Sequence, residues 1–229
     1  MSPEFIAQLP TQLSFYVIFL FAISVHEAAH AWMSLQCGDT LARDENRISL
    51  NPLVHIDPIG TVLIPLGGLL IAGLPPLIGW ARPVPVNMGA LRRPSDMMWI
   101  ALAGPISNLI LAVWTLVLVK ISFMVAPLLG STMQSWGAQV QFDQSFLLYL
   151  LMLNLFLAMF NMIPVPPLDG SRVLFFTVVA NRPWLRRAWE VVENYGFLLL
   201  LLLVITGAFH VVMLPLISYL FVQIILLLT

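Results

Sequence analysis

Long uncharged stretches dominate the chain and predict helices that cross a lipid bilayer. A transmembrane helix needs about 20 predominantly apolar residues, and three stretches reach that length with few ionisable side chains in them: Thr11–Gln36, Met97–Val119 and Gln144–Met162. A fourth stretch, Tyr195–Thr229, has no charged residue and is too long for one crossing, so it predicts two short helices broken near Pro215. The pattern predicts an all-α polytopic membrane protein.

The stretch Ile59–Trp80 is apolar but predicts a different structure. It contains eight glycine and proline residues, a density of helix breakers that argues against a straight membrane-spanning helix. Irregular backbone at membrane depth is tolerated only where protein or a water-filled cavity surrounds it. We therefore expect a small re-entrant β or loop region, with short strands between Ile48 and Val86 that hold an extended substrate as an added strand.

Composition narrows the class of protein. Of the 229 residues, 60% are apolar and only 9% are charged, and the mean hydropathy is +0.94. A soluble domain of this size cannot bury so much apolar surface, and a net charge of −1 leaves no basic stripe for nucleic acid. We expect one domain over residues 1–229 embedded in the lipid bilayer, with a three-helix core at about 11–172 and C-terminal helices at about 195–229.

The distribution of basic residues predicts an orientation. If Ile59–Trp80 does not cross the membrane, all nine arginines lie on one side and Lys120 lies on the other. Basic residues accumulate in cytoplasmic loops, so this arrangement is favoured over the mixed distribution that a full crossing would produce. The chain is therefore expected to be a multi-pass protein of the cell membrane with its basic loops in the cytoplasm.

The first predicted helix contains a candidate metal site, His26-Glu27-Ala28-Ala29-His30. Residues four apart share one face of a helix, so both imidazoles can reach one metal ion, and the intervening carboxylate can hold a water molecule beside it. Ionisable groups inside a membrane are costly and indicate function. A metal site is therefore favoured over two histidines that merely pack in a bundle.

A third ligand has to come from elsewhere, because a catalytic zinc usually has three protein ligands. The third predicted helix ends at Met162, and a proline-rich segment then leads to Asp169 and Gly170. Taken alone, such an Asp-Gly pair is more typical of a loop or of an N-cap for a helix that starts at Ser171. If Ile59–Trp80 does not cross the membrane, however, Asp169 lies at the same membrane depth as the two histidines.

Three motifs together resemble the site-2 protease family of intramembrane zinc metalloproteases. They are HEAAH at 26–30, AGPISN at 103–108 and NMIPVPPLDG at 161–170, and the resemblance covers roughly Phe15–Arg172. Two further stretches, LNPLVHIDP at 50–58 and GWARPVPVN at 79–87, are similar to the compact prokaryotic branch, which has no PDZ or cystathionine-synthase-type domain.

The resemblance implies an activity and a role for each site residue. It implies one zinc ion per chain, held by His26, His30 and Asp169, with Glu27 as the catalytic base. It implies transmembrane protein substrates, cleaved within or near their own membrane helices. Asn161 is implied to bind the substrate carbonyl or the developing oxyanion, for which the alternative is a cap on backbone groups freed at the helix end.

Other polar residues near the motifs are expected to be structural. Asn108 predicts a hydrogen bond between helices, and Gly104 predicts a close approach of two helices. His55 and Asp57 predict packing of a cytoplasmic loop, with contact to the metal ligands or substrate gating as the alternative.

The competing classes are a non-proteolytic zinc-binding membrane protein and a metal transporter. A transporter typically places acids along a path and shows paired repeats, and the sequence shows neither. A binding site alone does not need Glu27, a carboxylate that is not itself a ligand. Another type of HExxH membrane peptidase would need a third ligand other than Asp169. The sequence therefore favours a zinc-dependent intramembrane endopeptidase.

Overall fold

A computed structural model describes residues 3–72, 79–125 and 137–207, together with separate positions between 211 and 223. These residues form helices and no strand. The α-helices along the described chain are α1 (Pro3–Gln36), α2 (Leu41–Asp44), α3 (Ile64–Ala72), α4 (Asp96–Val125), α5 (Gly137–Asn161), α6 (Asp169–Leu174) and α7 (Pro183–Ile205). Shorter turns complete them: a 3₁₀ turn over Pro52–Val54 and π-helical turns over Pro58–Leu63 and Phe175–Val179.

In the described part of the chain, two helices are long and apolar enough to cross a membrane. Their apolar parts run over Ile6–Gln36, with 31 residues, and Asp96–Val125, with 30 residues. A shorter apolar segment, Phe146–Asn161, lies in α5. The stretches that predicted the first three membrane helices are therefore helical, although α5 ends just before Met162.

α4 runs antiparallel to both α1 and α5. On one side, His30 of α1 lies against Ile100, while His26, one turn earlier, lies against Asn108, further along α4. On the other side, Asn108 contacts Asn154 of α5, and Ala112 packs with Leu151, which comes earlier in α5. α4 thus packs against both α1 and α5, and α1 and α5 also pack against each other.

The packed core lies between α1 and α5. Phe19 and Leu153 are completely buried, and Ile18, Ala22 and Leu157 pack around them. The outer surface of α4 is apolar instead: Val113 and Trp114, for example, are 62% and 64% exposed. Exposed apolar side chains along a whole helix are expected where the surrounding medium is lipid rather than water.

The connection between α1 and α4 corrects the expectation of short strands. Residues 58–72 are helical: the turn Pro58–Leu63 leads directly into α3. Proline is favoured in the first turn of a helix, and the Asp57 carboxylate caps this one by accepting hydrogen bonds from the amides of Ile59 and Gly60. A helix therefore starts where the glycine and proline content had indicated strands. Ile64 lies inside the range in which a substrate-binding strand was expected, and it is the first residue of α3. Residues 73–78 lie outside the described ranges.

The part of the connection that follows α3 hydrogen-bonds to the part that precedes α3. The Trp80 amide donates to the Gly60 carbonyl at 3.2 Å, and the Arg82 amide donates to the His55 carbonyl at 2.8 Å. Gly60 has no room for a side chain, because a Cβ there would lie 2.4 Å from the Trp80 ring. Residues 55–60 and 80–82 of the connection thus pack against each other, and Thr61 contacts Tyr16 of α1.

The last predicted helical region begins earlier than expected. α7 starts at Pro183, in the charged segment before Tyr195. It packs against the proline-rich segment that precedes α6, where a Cβ at Gly196 would lie 2.5 Å from the Pro166 carbonyl oxygen. The predicted break near Pro215 and the second short helix fall where only separate residues are described.

Candidate metal centre

α1 presents two imidazoles to one point inside the helix bundle. The Nε2 atoms of His26 and His30 lie 3.0 Å apart, and their rings meet edge to face, with centroids 4.6 Å apart. Both residues are more than 90% buried. The four-residue spacing on a regular helix produces this arrangement without any special backbone geometry.

α6 brings a carboxylate to the same point. Asp169 is the first residue of this helix, and its Oδ2 atom lies 3.2 Å from His26 Nε2 and 3.3 Å from His30 Nε2. Leu168 occupies the N-cap position, so Asp169 does not serve as the cap that the isolated Asp-Gly pair had suggested. The next residue, Gly170, makes the close approach possible, because a Cβ there would lie 2.2 Å from the Met162 carbonyl oxygen.

The Nδ1 atom of each imidazole ring lies within hydrogen-bond distance of an acceptor oxygen. His30 Nδ1 lies 2.7 Å from the Ile100 carbonyl oxygen, and His26 Nδ1 lies 2.6 Å from Asn108 Oδ1. An oxygen of this kind only accepts hydrogen bonds, so each Nδ1 carries the ring proton and each neutral ring has a bare Nε2. Two bare nitrogens therefore face Asp169 Oδ2, a buried atom that has no hydrogen-bond donor.

This donor set fits a zinc ion. The Nε2 atoms of the two histidines and Oδ2 of Asp169 can then only accept hydrogen bonds, yet they lie 3.0–3.3 Å from one another. A cation bound between them removes the repulsion between their lone pairs. Ligand atoms of a tetrahedral zinc, at bond lengths of about 2.0–2.2 Å, lie about 3.3–3.5 Å from one another. Among the described residues, these three form a group whose ligand atoms all lie within 4.8 Å of one another, close enough to bind one metal ion.

Gly104 of α4 leaves the space that such an ion needs. A Cβ at this position would lie 2.4 Å from His30 Nε2 and 2.6 Å from His26 Nε2. The Gly104 backbone therefore forms one wall of the centre, and any larger residue would fill it. The sequence predicted a close helix approach here, and the structure shows that the approach is to the imidazoles.

Glu27 lies between the two histidines in α1 and is partly exposed. A carboxylate that is to exchange protons with water has to be reached by water, so this exposure suits a general base. The position agrees with the role implied by the HExxH spacing, which stays a prediction.

Asn161 is the last residue of α5, and its Nδ2 donates to the Leu157 carbonyl oxygen at 2.9 Å. This is a bond to a carbonyl one turn earlier in its own helix. None of its described contacts reaches the three-residue cluster, and its role towards a substrate stays a prediction.

His55 and Asp57 have the contacts of a packed loop. His55 is 1% exposed and its Nε2 donates to the Ser49 carbonyl oxygen at 2.8 Å, while Asp57 caps the turn before α3. Burial lowers the pKa of His55 below its usual value, so the ring stays neutral near pH 7. Neither residue has a described contact with the three-residue cluster.

Asn154 is the residue that sequence reasoning missed. It is completely buried in α5, and its Oδ1 accepts a hydrogen bond from Asn108 Nδ2 at 2.8 Å. No motif marks it. The available signal was an uncharged polar residue within an apolar helix, which such a helix tolerates only when its hydrogen bonds are made.

Comparison with known proteins points to proteolysis. The sequence model of the family described as Peptidase family M50 matches residues 14–203. A Bacillus subtilis protein named "Putative zinc metalloprotease YwhC" is 35% identical over 218 residues, covering 91% of this chain and 89% of that protein. "Putative zinc metalloprotease Rip2" of Mycolicibacterium smegmatis is 29% identical over 196 residues, covering 83% of this chain and 66% of that protein. No solved structure matches the chain significantly.

Proposed function

This chain belongs to peptidase family M50, and we propose that it is a zinc-dependent intramembrane endopeptidase, in line with the names of its two relatives. It hydrolyses peptide bonds within or near the transmembrane helices of other membrane proteins. The observation that carries the proposal is the convergence of His26, His30 and Asp169 on one buried point, with Glu27 between the two histidines in the sequence of α1.

The position of this point supports cleavage inside the membrane. His26 and His30 lie within the apolar segment Ile6–Gln36, and Gly104, which forms a wall of the centre, lies within Asp96–Val125. Both segments are long enough to cross a bilayer. A peptide bond that reaches the centre therefore belongs to a segment at membrane depth.

The residues divide the reaction between them. His26, His30 and Asp169 hold the zinc, whose contribution when bound is to polarise a carbonyl group and to activate water. The Glu27 carboxylate accepts a proton from the attacking water and then delivers it to the nitrogen of the leaving amine. Gly104 keeps the space beside the two Nε2 atoms open.

The Asn161 side-chain amide contributes to substrate binding in this proposal. A side-chain amide nitrogen carries two hydrogens, so Nδ2 can keep its bond to the Leu157 carbonyl and also donate to a substrate carbonyl. A donor placed in this way stabilises the negative charge that develops on that oxygen during hydrolysis.

The proposal includes an orientation in the cell membrane. The end of α1 and the start of α4 lie together, since the Arg92 amide donates to the Cys37 carbonyl at 3.0 Å. The connection between them therefore begins and ends on one side, which is the arrangement that gathers the arginines there. By the positive-inside rule this side is the cytoplasm, and the metal centre lies towards it in a multi-pass protein.

A pair of glutamate substitutions tests the proposal. Glu27→Gln should retain one zinc per chain, measured by elemental analysis of purified protein, and should lower cleavage by about 10²–10⁴-fold because the general base is lost. Glu193→Gln is the matched control, since this exposed carboxylate pairs with Arg172 on the surface, and it should retain both properties. Cleavage is followed by comparing the membrane proteomes of cells that express each form.

The outcomes separate the competing classes. Transmembrane fragments that arise with wild type and Glu193→Gln but not with Glu27→Gln support the protease. Equal fragment patterns for all three forms, with zinc bound, would indicate a zinc-binding protein without proteolysis. A His26→Ala plus His30→Ala variant with full zinc occupancy would refute the ligand assignment.

A further inference from the structure

Two buried asparagines connect the metal centre to α5. Asn108 and Asn154 are both completely buried, and neither has a role in the mechanism above. We infer that they form a relay of two amides that fixes the tautomer of His26, so that its Nε2 is free to bind the metal. The inference rests on the proposed zinc centre and adds two positioning residues to it.

The direction of the relay is determined at its far end. Asn154 Nδ2 donates to the Leu150 carbonyl oxygen at 2.8 Å, and a carbonyl can only accept. Asn154 therefore turns its Oδ1 towards Asn108, whose Nδ2 donates to it at 2.8 Å. Asn108 in turn presents Oδ1 to His26 Nδ1 at 2.6 Å. Each amide has one orientation that satisfies both neighbours.

The opposite orientation of Asn108 would disable the ligand. Its Nδ2 would then point an N–H group at His26 Nδ1, which would have to accept it. The ring proton would move to Nε2, the atom that lies 3.2 Å from Asp169 Oδ2, and a protonated nitrogen cannot bind a metal. A weaker contact of Asn108 Nδ2 with the Ala22 carbonyl, at 3.4 Å, favours the same orientation as Asn154 does.

The tautomer of the second histidine, His30, is determined by a direct contact. His30 Nδ1 faces the Ile100 carbonyl oxygen directly. Both ligand tautomers are thus set by backbone carbonyls, one in contact and the other through two side chains. The relay also links α1, α4 and α5 at the depth of the metal, and it does so with neutral groups, which avoids burying a further charge.

The experiment measures zinc affinity in detergent by competition with a chelator. Partners that orient metal-bound histidines typically contribute 10–100-fold to affinity, so Asn108→Leu should weaken zinc binding by about that factor. Asn108→Asp keeps an oxygen facing His26 Nδ1 but loses the donor to Asn154 Oδ1, so it should retain a higher zinc affinity than Asn108→Leu. Asn154→Leu removes the acceptor that orients Asn108. Its zinc affinity should lie between those of wild type and Asn108→Leu.

Thr115→Val is the matched control on α4. Thr115 is also buried, at 2% exposure, but its hydroxyl bonds within its own helix to the Leu111 carbonyl. Its substitution should leave zinc affinity unchanged. Histidine labelled with ¹⁵N supplies a second readout, since the chain has only four histidines. The His26 proton should be on Nδ1 in the metal-free wild type and should partly move to Nε2 in Asn154→Leu.

Each result has a distinct meaning. Wild-type affinity in both Asn108→Leu and Asn154→Leu, with loss in His26→Ala, would overturn the relay and leave the zinc centre intact. Retention of zinc by His26→Ala would instead overturn the proposed centre. Equal losses in Asn108→Leu, Asn108→Asp and Thr115→Val would show a general packing effect, which also contradicts the relay. If Asn108→Leu fails to fold, the zinc affinity and the ¹⁵N signals of Asn154→Leu still decide the question.

Discussion

At the scale of single residues, the centre depends as much on a missing side chain as on the side chains present. His26, His30 and Asp169 supply the donor atoms, but Gly104 determines whether anything fits between them. Its backbone lies so close to the imidazoles that a single added carbon would reach both Nε2 atoms. A glycine is needed at position 104 because a side chain there would occupy the space beside the two Nε2 atoms. Its backbone angles are not the reason, since they are open to other residues.

This contact predicts the effect of one methyl group. Gly104→Ala should abolish stoichiometric zinc binding, because its Cβ would lie 2.4 Å from His30 Nε2, well inside van der Waals contact. Elemental analysis of purified protein measures this. Gly67→Ala is the control, since a Cβ added there would meet nothing within 4 Å apart from its chain neighbours and the backbone of its own helix. Full zinc content in Gly104→Ala would mean that the metal lies elsewhere.

At the scale of elements, one buried arginine organises the connection between α1 and α4. Arg47 is 2% exposed. Its Nη1 donates to the Val54 carbonyl at 2.7 Å, and its Nη2 donates to the carbonyls of Arg82 and Pro83. The two halves of the connection, before and after α3, are therefore joined by a single guanidinium, whose planar fork can serve several carbonyls at once.

Replacing this fork with a point charge should loosen the connection. In Arg47→Lys one ammonium group cannot reach all three carbonyls, and we expect a loss of about 1.5–3 kcal/mol, the usual contribution of hydrogen bonds to a charged group. Equilibrium unfolding in mixed micelles measures it. Arg43→Lys, at an exposed pair with Asp44, should change stability little. Equal effects of the two substitutions would contradict the role of Arg47.

At the scale of the whole molecule, helix direction decides which ends of α1 and α4 lie next to each other. α1 and α4 are antiparallel, and the chain leaves one and enters the other at neighbouring points, Cys37 and Arg92. Residues 38–91 consequently start and finish on one side. The sequence had proposed from its arginines that Ile59–Trp80 does not cross the membrane, which agrees with this packing and stays a prediction.

Labelling of single cysteines tests this threading. In a Cys37→Ser background, Glu45→Cys and Arg92→Cys should react with an impermeant reagent from the same side, the cytoplasm in the orientation proposed above, and Lys120→Cys should react from the opposite side. Glu45 is preferred to its neighbour Asn46, whose positive φ of 57° disfavours cysteine. Labelling of Glu45→Cys and Arg92→Cys from opposite sides would exclude the antiparallel packing.

Features carried by neighbouring residues could be predicted from the sequence. The four-residue spacing of His26 and His30 places them on one face of any helix, and long apolar stretches become helices because a bilayer leaves backbone groups no other partner. The strands expected between Ile48 and Val86 were wrong over residues 58–72. There the Asp57 cap and the leading Pro58 start a helix, which outweighs the breaker count.

The sequence alone therefore determined the apolar helices and the facing histidines, since these depend on periodicity within a few turns. Only the tertiary structure decided that Asp169 meets them, that Gly104 opens the space between them, and that Asn154 acts on His26 through Asn108. Each of these contacts joins residues far apart in the chain. They depend on the register and direction of packed helices, which no local spacing specifies.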